Sequence, residues 1–386
     1  MPANFYRSLI RPLLFRMDPE RAHALTIEAC RVAGRLPFVP ALMRSSLGCS
    51  APELTCEVAG LPFEHPIGLG AGWDKSGRAL RILDALAFGF AEIGSVSADL
   101  SLGNAKPRLF RLPEDQAIVV NYGLPNDGAA AVARRIDRYR PRAPLGVNLV
   151  NTNHGVDAPP ADEEAIFRDY ERSAALLHAR ASYLMLNLSC PNAAGGKDLF
   201  GQRGPLSRLL ERLQALNIAC PVFLKLPPIA DDATLDRLLE EVDPFPFVRG
   251  FGFNLPTGKP PDLKLSTPER VWKEWPGAVA GRPVAARIDD CVRRLYRRMP
   301  RGRYAIIAAG GVFTGEDAYR KIRLGASLVQ IYTALVYEGP GVTRRIADEL
   351  ASLLRRDGFA HVQEAVGVDA EVPPTAAPLT FQRTCS

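Results

Sequence analysis

In the stretch Tyr183-Leu184-Met185-Leu186-Asn187-Leu188-Ser189-Cys190-Pro191-Asn192, an apolar run of strand length ends in two amides and a thiol. Asn187 and Asn192 each offer a carbonyl acceptor and an amide donor. Cys190 between them can act as a nucleophile or, as thiolate, as a proton acceptor. A lone cysteine is more often a buried packing residue, but a thiol packed for burial does not normally sit in a polar turn between two amides. Polar groups also mark other short apolar runs: Lys75 follows Gly70-Ala71-Gly72, Asn148 and Lys225 lie within their runs, Asn254 follows Phe253, and Tyr332-Thr333 follow Ile331. The turn Ala309-Gly310-Gly311, with Thr314 and a helical stretch behind it, has the ingredients of a phosphate site. It offers free backbone N–H groups, no Cβ to obstruct them, and a helix N-terminus that favours an anion.

These residues need a scaffold that brings the ends of many strands together. The apolar runs at 67–70, 90–94, 145–149, 183–187, 222–226, 250–253, 305–308 and 328–331 alternate with helical stretches, as in a parallel sheet buried on both faces. Eight such units within one chain predict a (β/α)8 TIM barrel, an α/β fold whose active site lies at the carboxyl ends of the strands. The polar groups named above stand at that station, and the glycine turn follows the seventh strand, where barrel phosphate sites are commonly built.

Ahead of the barrel, residues 1–36 read as an N-terminal amphipathic helical extension. Phe5, Leu9 and Leu13 share a face, Arg7, Arg11 and Arg16 supply charge, and Asp18-Pro19 opens a second helix. A membrane-contacting pair and a pair docked on the barrel are both open at this point; a mitochondrial transit peptide fits less well, because cap chemistry follows at once. Residues 37–54 read as a linker, 55–358 as the barrel with a small hairpin at its start, and 359–386 as a loose C-terminal tail.

The composition, 47% hydrophobic and 23% charged with a formal charge of +6, is that of a folded globular chain. The arginines are spread rather than gathered into blocks, which argues against nucleic acid. Seven cysteines with no C-x-x-C pair suit a reducing compartment and exclude the usual zinc and iron–sulfur spacings. No apolar run is long enough to span a bilayer, so any membrane contact is peripheral.

Several segments together resemble the dihydroorotate dehydrogenase family, and within it the membrane-associated, quinone-using class. They are Asp18-Pro19-Glu20-Arg21-Ala22-His23, Gly70-Ala71-Gly72-Trp73-Asp74-Lys75, Lys106-Pro107-Arg108-Leu109-Phe110-Arg111, Asn187-Leu188-Ser189-Cys190-Pro191-Asn192, Ala309-Gly310-Gly311-Val312 and Gln330-Ile331-Tyr332. The resemblance implies FMN-dependent oxidation of dihydroorotate to orotate in pyrimidine synthesis, with a quinone as acceptor, at the cytoplasmic face of a bacterial inner membrane in preference to a mitochondrial one. Carried over by motif, Cys190 is the base, and Lys75, Asn121, Asn187, Asn192 and Asn254 hold substrate. Ala71, Gly72, Ser95, Asn148, Asn187, Lys225, Gly281, Gly310, Gly311, Tyr332 and Thr333 hold FMN.

The chain departs from that pattern in three places. Cysteine stands where the membrane class has serine. The loop Val120-Asn121-Tyr122-Gly123 is one residue short if Asn121 is the ligand, and otherwise Val120 replaces it. Phe253 and Leu255 flank Asn254 where the family has hydrogen-bonding groups. Three alternatives stay open: the same flavin barrel acting on another cyclic amide or dihydropyrimidine, a barrel aldolase using Lys225 as a Schiff base, and a flavin-binding protein without catalysis.

Overall fold

The eight apolar runs form strands because almost every residue in them can be buried on both faces. A computed structural model describes residues 5–155, 161–188, 199–229, 231–253, 255–256 and 258–371. Its strands are β1 (Cys56–Val58), β2 (Leu61–Phe63), β3 (Ile67–Leu69), β4 (Phe90–Val96), β5 (Leu109–Leu112), β6 (Ala117–Val120), β7 (Leu145–Leu149), β8 (Tyr183–Asn187), β9 (Val222–Leu226), β10 (Val248–Phe253), β11 (Ala278–Gly281), β12 (Ala305–Ala308) and β13 (Leu328–Ile331). Its helices are α1 (Arg11–Phe15), α2 (Pro19–Ala33), α3 (Val39–Leu47), α4 (Leu80–Ala85), α5 (Ala129–Arg138), α6 (Glu163–Leu177), α7 (Pro205–Ala215), α8 (Asp232–Val242), α9 (Glu269–Trp272), α10 (Ala285–Arg298), α11 (Gly315–Arg323), α12 (Thr333–Glu338) and α13 (Val342–Arg356).

Strands β3, β4, β7, β8, β9, β10, β12 and β13 close into one parallel barrel in chain order, the expected (β/α)8 architecture. Inside it, large residues are matched to glycines. A Cβ at Gly68 would stand 2.3 Å from the Phe90 ring, and one at Gly146 would stand 2.2 Å from the Tyr183 ring. The hairpin β1–β2 precedes the barrel, as expected.

An antiparallel sheet that the barrel rhythm does not reveal, β11–β6–β5, is added to this frame. Its strands are four residues long, and β6 pairs with a segment far along the chain, Val119 facing Val279. Alternation sorts its side chains. Leu112, Ala117, Val119 and Val279 make a small core of their own, against which Phe110 and Trp275 stack with ring centroids 4.6 Å apart. Ile118 and Val120 line the barrel-mouth cavity instead.

The N-terminal pair forms where expected. A π-helical turn at Tyr6–Ile10 leads into α1, and the Asp18 carboxylate caps α2 by accepting from the Arg21 N–H at 2.9 Å, with Pro19 in the first turn. Two expectations are corrected. The segment 37–54 is not a plain linker, because α3 lies within it: Val39, Met43 and Leu47 recur at helical spacing, Leu47 is buried, and α3 packs on α4. Nor is the chain loose from 359 onward. Residues up to 371 are docked, with Val362, Ala365 and Ala370 buried, the Gly367 N–H donating to the Ile322 carbonyl at 3.0 Å, and Arg323 paired with Asp369 at 2.5 Å.

Candidate active site

A cavity opens at the carboxyl ends of the barrel strands, roofed by Ile118, Val120 and Ala280 of the small sheet. Ala71 and Gly72 after β3, Lys225 on β9, Gly281 at the end of β11, Gly310 and Gly311 after β12, and Tyr332 and Thr333 after β13 all line it. Sequence positions spread over more than two hundred and sixty residues are thus brought to one wall by the barrel.

The glycines make room for a ligand's backbone contacts. Gly310 and Gly311 have φ of +83° and +73°, and a Cβ on Gly311 would stand 2.5 Å from that of Ala285. The expectation that α11 presents its N-terminus to an anion is corrected. The Phe313 and Thr314 N–H groups donate to the Asp317 carboxylate at 3.0 and 3.1 Å, and that of Gly315 donates to Glu349 at 2.6 Å. Two carboxylates already occupy that helix end. The N–H groups left for an anion are those of Gly310, Gly311, Val312 and Thr333, none of which donates to a group among the described residues.

Ser95, Asn148 and Asn187 do not line this cavity; they form a buried hydrogen-bonded chain on β4, β7 and β8. The Asn187 amide donates to Ser95 Oγ at 3.1 Å, and the Ser95 hydroxyl donates to Asn148 Oδ1 at 2.5 Å. The Asn148 amide donates to Glu92 Oε1 at 2.9 Å, while Tyr183 and Gln330 donate to Glu92 Oε2 at 3.1 and 2.9 Å. A carboxylate 1% exposed is satisfied here by three neutral donors. Burial, followed by the Glu92 charge, pushes the Tyr183 phenol well above its ordinary value, so it stays a donor. Asn187 faces Lys225 in the β8–β9 register, so the chain continues to the cavity wall.

Lys75 lies beside the cavity, on a platform the sequence did not reveal. Its Nζ stands 4.0 Å above the Tyr122 ring and 3.4 Å from His23 Nδ1, and His23 Nε2 lies 2.8 Å from the Trp73 carbonyl oxygen. A carbonyl can only accept, so Nε2 carries the proton and Nδ1 accepts from Lys75. Burial lowers the Lys75 ammonium to about 7 against the opposing pull of Glu20 and Asp74, and burial together with the Lys75 charge lowers His23 to about 3. His23 therefore stays neutral. The Tyr122 hydroxyl is buried with no hydrogen-bond partner among the described residues and belongs to the cavity wall.

The segment that leads from Leu102 through Arg108 to β5 is held from the N-terminal extension. Arg108 makes a two-pronged contact with Glu20 of α2, Nη2 to Oε1 at 2.7 Å and Nε to Oε2 at 3.2 Å. Its Nη1 donates to the carbonyls of Leu102 and Asn104 at 2.7 and 2.8 Å. Asn121 turns away from the cavity, its Oδ1 accepting from the Asn104 amide at 3.2 Å, while its neighbours Val120 and Tyr122 line the cavity. Phe253 and Leu255 also line it, so the apolar substitutions read from the sequence face the ligand space. Cys190, Asn192 and Asn254 lie outside the described residues.

A second, apolar cavity lies beneath α1 and α2 and shares Ile118 and Tyr332 with the first. His23, Trp73 and Arg111 line it too, and Arg111 donates to the Met17 carbonyl at 3.1 Å. The sequence did not single out Glu92, although a glutamate inside the run Phe90-Ala91-Glu92-Ile93 was the available signal; His23, Tyr122 and Gln330 stand within the quoted segments, but no role there pointed to them.

The closed (β/α)8 barrel thus carries a glycine turn after its seventh strand, a lysine on the cavity wall, and an apolar cavity beside the first. The chain belongs to the dihydroorotate dehydrogenase family, whose model matches residues 53–354. It is 39% identical over 367 residues to the dihydroorotate dehydrogenase (quinone) of Roseiflexus castenholzii, covering 94% of this chain and 96% of the relative. It is 38% identical over 384 residues to the protein of the same name from Rhodospirillum rubrum, covering 97% of both. Among solved structures it is similar to the Eimeria tenella dihydroorotate dehydrogenase in complex with ferulenol, with a TM-score of 0.77, 32% identity, and coverage of 92% of this chain and 96% of that one.

Proposed function

We propose that this chain oxidises (S)-dihydroorotate to orotate with FMN as its flavin and a quinone as final acceptor. The observation that carries the reading is the junction of two cavities at Ile118 and Tyr332: a glycine-lined one at the strand ends and an apolar one under the N-terminal helices. A reaction with a polar donor and a lipophilic acceptor needs such a pair. Kinship over nearly the full chain supports it, and an aldolase with Lys225 as Schiff base finds no support there.

The residues present fit FMN. The positive-φ glycines leave space that any Cβ would fill, and their free N–H groups suit a phosphate. Lys225 supplies a cation on the cavity wall, and the Ser95, Asn148 and Asn187 chain fixes the amides beside it. FMN bound there supplies the acceptor for the C6 hydride and the relay of electrons to the quinone. Lys75, steadied by His23 and Tyr122, binds the substrate carboxylate, and Asn187, Asn192 and Asn254 bind its amide edge. Cys190, on the loop after β8, takes the C5 proton. Asn121 acts through the shape of its loop, its side chain being engaged with Asn104.

The quinone enters through the apolar cavity from a membrane surface. No helix among the described residues is long and apolar enough to cross a membrane, and exposed Leu13, Leu36, Phe38 and Leu42 are all in the first 42 residues of the chain. Such a surface suits peripheral contact, at the cytoplasmic face of a bacterial inner membrane. A second reading, another dihydropyrimidine or cyclic amide as substrate, is favoured by one observation: Val120, Phe253 and Leu255 present no side-chain hydrogen-bonding group to the cavity. Steady-state assays decide between them. Orotate formed from dihydroorotate with a short-chain quinone supports the first reading; turnover of a different cyclic amide with none of dihydroorotate supports the second.

A further inference from the structure

A groove on the outer surface, between α2 and the barrel helices α4 and α5, gathers Arg31, Arg35, Arg78, Arg81, Arg135 and Arg138. Its acidic complement is small. Glu28 pairs with Arg31, Nε to Oε2 at 2.8 Å, and Asp127 receives both Arg78 and Arg135 at 2.7 Å. Six guanidinium groups line the concavity against one lining carboxylate, Glu28, with Asp127 and Asp74 acting on Arg78 from behind, so the groove keeps an excess of positive charge. Arg81 lies 4.7 Å over the Tyr139 ring, which orders it without neutralising it. Arg35 and Arg138 have no ion-pair partner among the described residues. Arginines whose charge is uncancelled cost energy through mutual repulsion, and an anion relieves it.

The helix that supplies Arg31 and Arg35 also says which anion. On α2 and the turn after it, Glu28, Arg31 and Arg35 recur at spacings of three and four and share one face, while Leu25, Val32 and Leu36 share the adjoining face, about a quarter turn away. All three apolar residues are exposed. When that apolar face lies in the acyl region, the arginine face is carried to headgroup depth. We infer that the groove holds the phosphate of an anionic phospholipid headgroup and fixes how the chain sits on its membrane. This rests on the peripheral-membrane reading above.

The test is co-flotation of the full-length protein with vesicles of phosphatidylcholine alone and with a third of the lipid replaced by phosphatidylglycerol, compared with the Arg35→Ala/Arg138→Ala double variant. Both side chains are exposed and unpaired, so the fold and the turnover with a soluble quinone are expected unchanged. Phosphatidylglycerol should tighten binding of the parent by more than tenfold, and the double variant should lose roughly thirtyfold of affinity for those vesicles only, the weight of two arginine charges at an anionic surface. Equal binding of the parent to both vesicles, or an equal gain in parent and variant, overturns the groove's role and leaves membrane contact standing. No binding to either vesicle overturns both. If millimolar glycerol phosphate displaces the protein from the anionic vesicles, the groove is a site for soluble phosphate esters and the lipid assignment is overturned.

Discussion

Lys75 is the residue whose surroundings say most about pH. Burial brings its ammonium down to about 7, so the charged form that attracts a carboxylate is lost as pH rises through neutrality. On the proposed reading Cys190 is the base, and a thiol gains thiolate over the same direction of change. The two trends oppose each other. The KM for dihydroorotate is therefore expected to climb above about pH 7 while the rate of flavin reduction at saturation climbs too, and stopped-flow at a series of pH values separates them. His23→Ala removes the acceptor that steadies Lys75, which should raise KM by roughly tenfold, the weight of one hydrogen bond, and leave FMN content unchanged. A histidine acting only on the quinone would leave the dihydroorotate KM unmoved. At the other end of the cavity, Gly311→Val forces a Cβ into the space 2.5 Å from the Ala285 Cβ, at a φ of +73°. That protein should be purified largely without flavin, as the ratio of visible to ultraviolet absorbance reports.

Among the elements, the N-terminal pair has more to do than its sequence implies. An acid-free, arginine-bearing helix with an apolar face leaves both a membrane contact and docking on the barrel open. In the structure α2 supplies Glu20 to Arg108 and His23 to Lys75, while Tyr6 donates to the Val336 carbonyl at 2.8 Å. Removing residues 1–36 should then cost both half-reactions: turnover with a lipophilic quinone, and flavin reduction by dihydroorotate through a raised KM. A truncated protein with the parent's dihydroorotate KM would show that the Glu20 and His23 contacts do not bear on the substrate. The barrel strands were legible because a strand buried on both faces must be a continuous apolar run, and Val222–Leu226 or Ala305–Ala308 admits few other readings. The small sheet was not, since its strands are only four residues long and Ala117–Val120 lies between β5, close by in the chain, and β11, some hundred and sixty residues away. Helix α3 was hidden by prolines on both sides, and the docked segment after Gly358 by its lack of any repeating pattern.

For the molecule as a whole, the barrel brings the Gly310-Gly311 turn, Lys225 and the Tyr332-Thr333 pair to one mouth, and an apolar cavity under the N-terminal helices adjoins it. The Gly310-Gly311 turn and the Tyr332-Thr333 pair of that mouth could be read from the sequence, because each follows an apolar run. The platform of His23, Tyr122 and Arg108 could not, because it exists only where α2 meets the segments that lead into β5 and out of β6. The proposed function stands or falls on whether dihydroorotate delivers its electrons to a flavin held by this protein. The direct measurement is to mix the purified flavoprotein with dihydroorotate without oxygen and follow the visible flavin absorbance together with orotate. The absorbance should bleach, one orotate should form per flavin, and added quinone should restore the colour. A flavin that dithionite reduces but millimolar dihydroorotate leaves oxidised would contradict it.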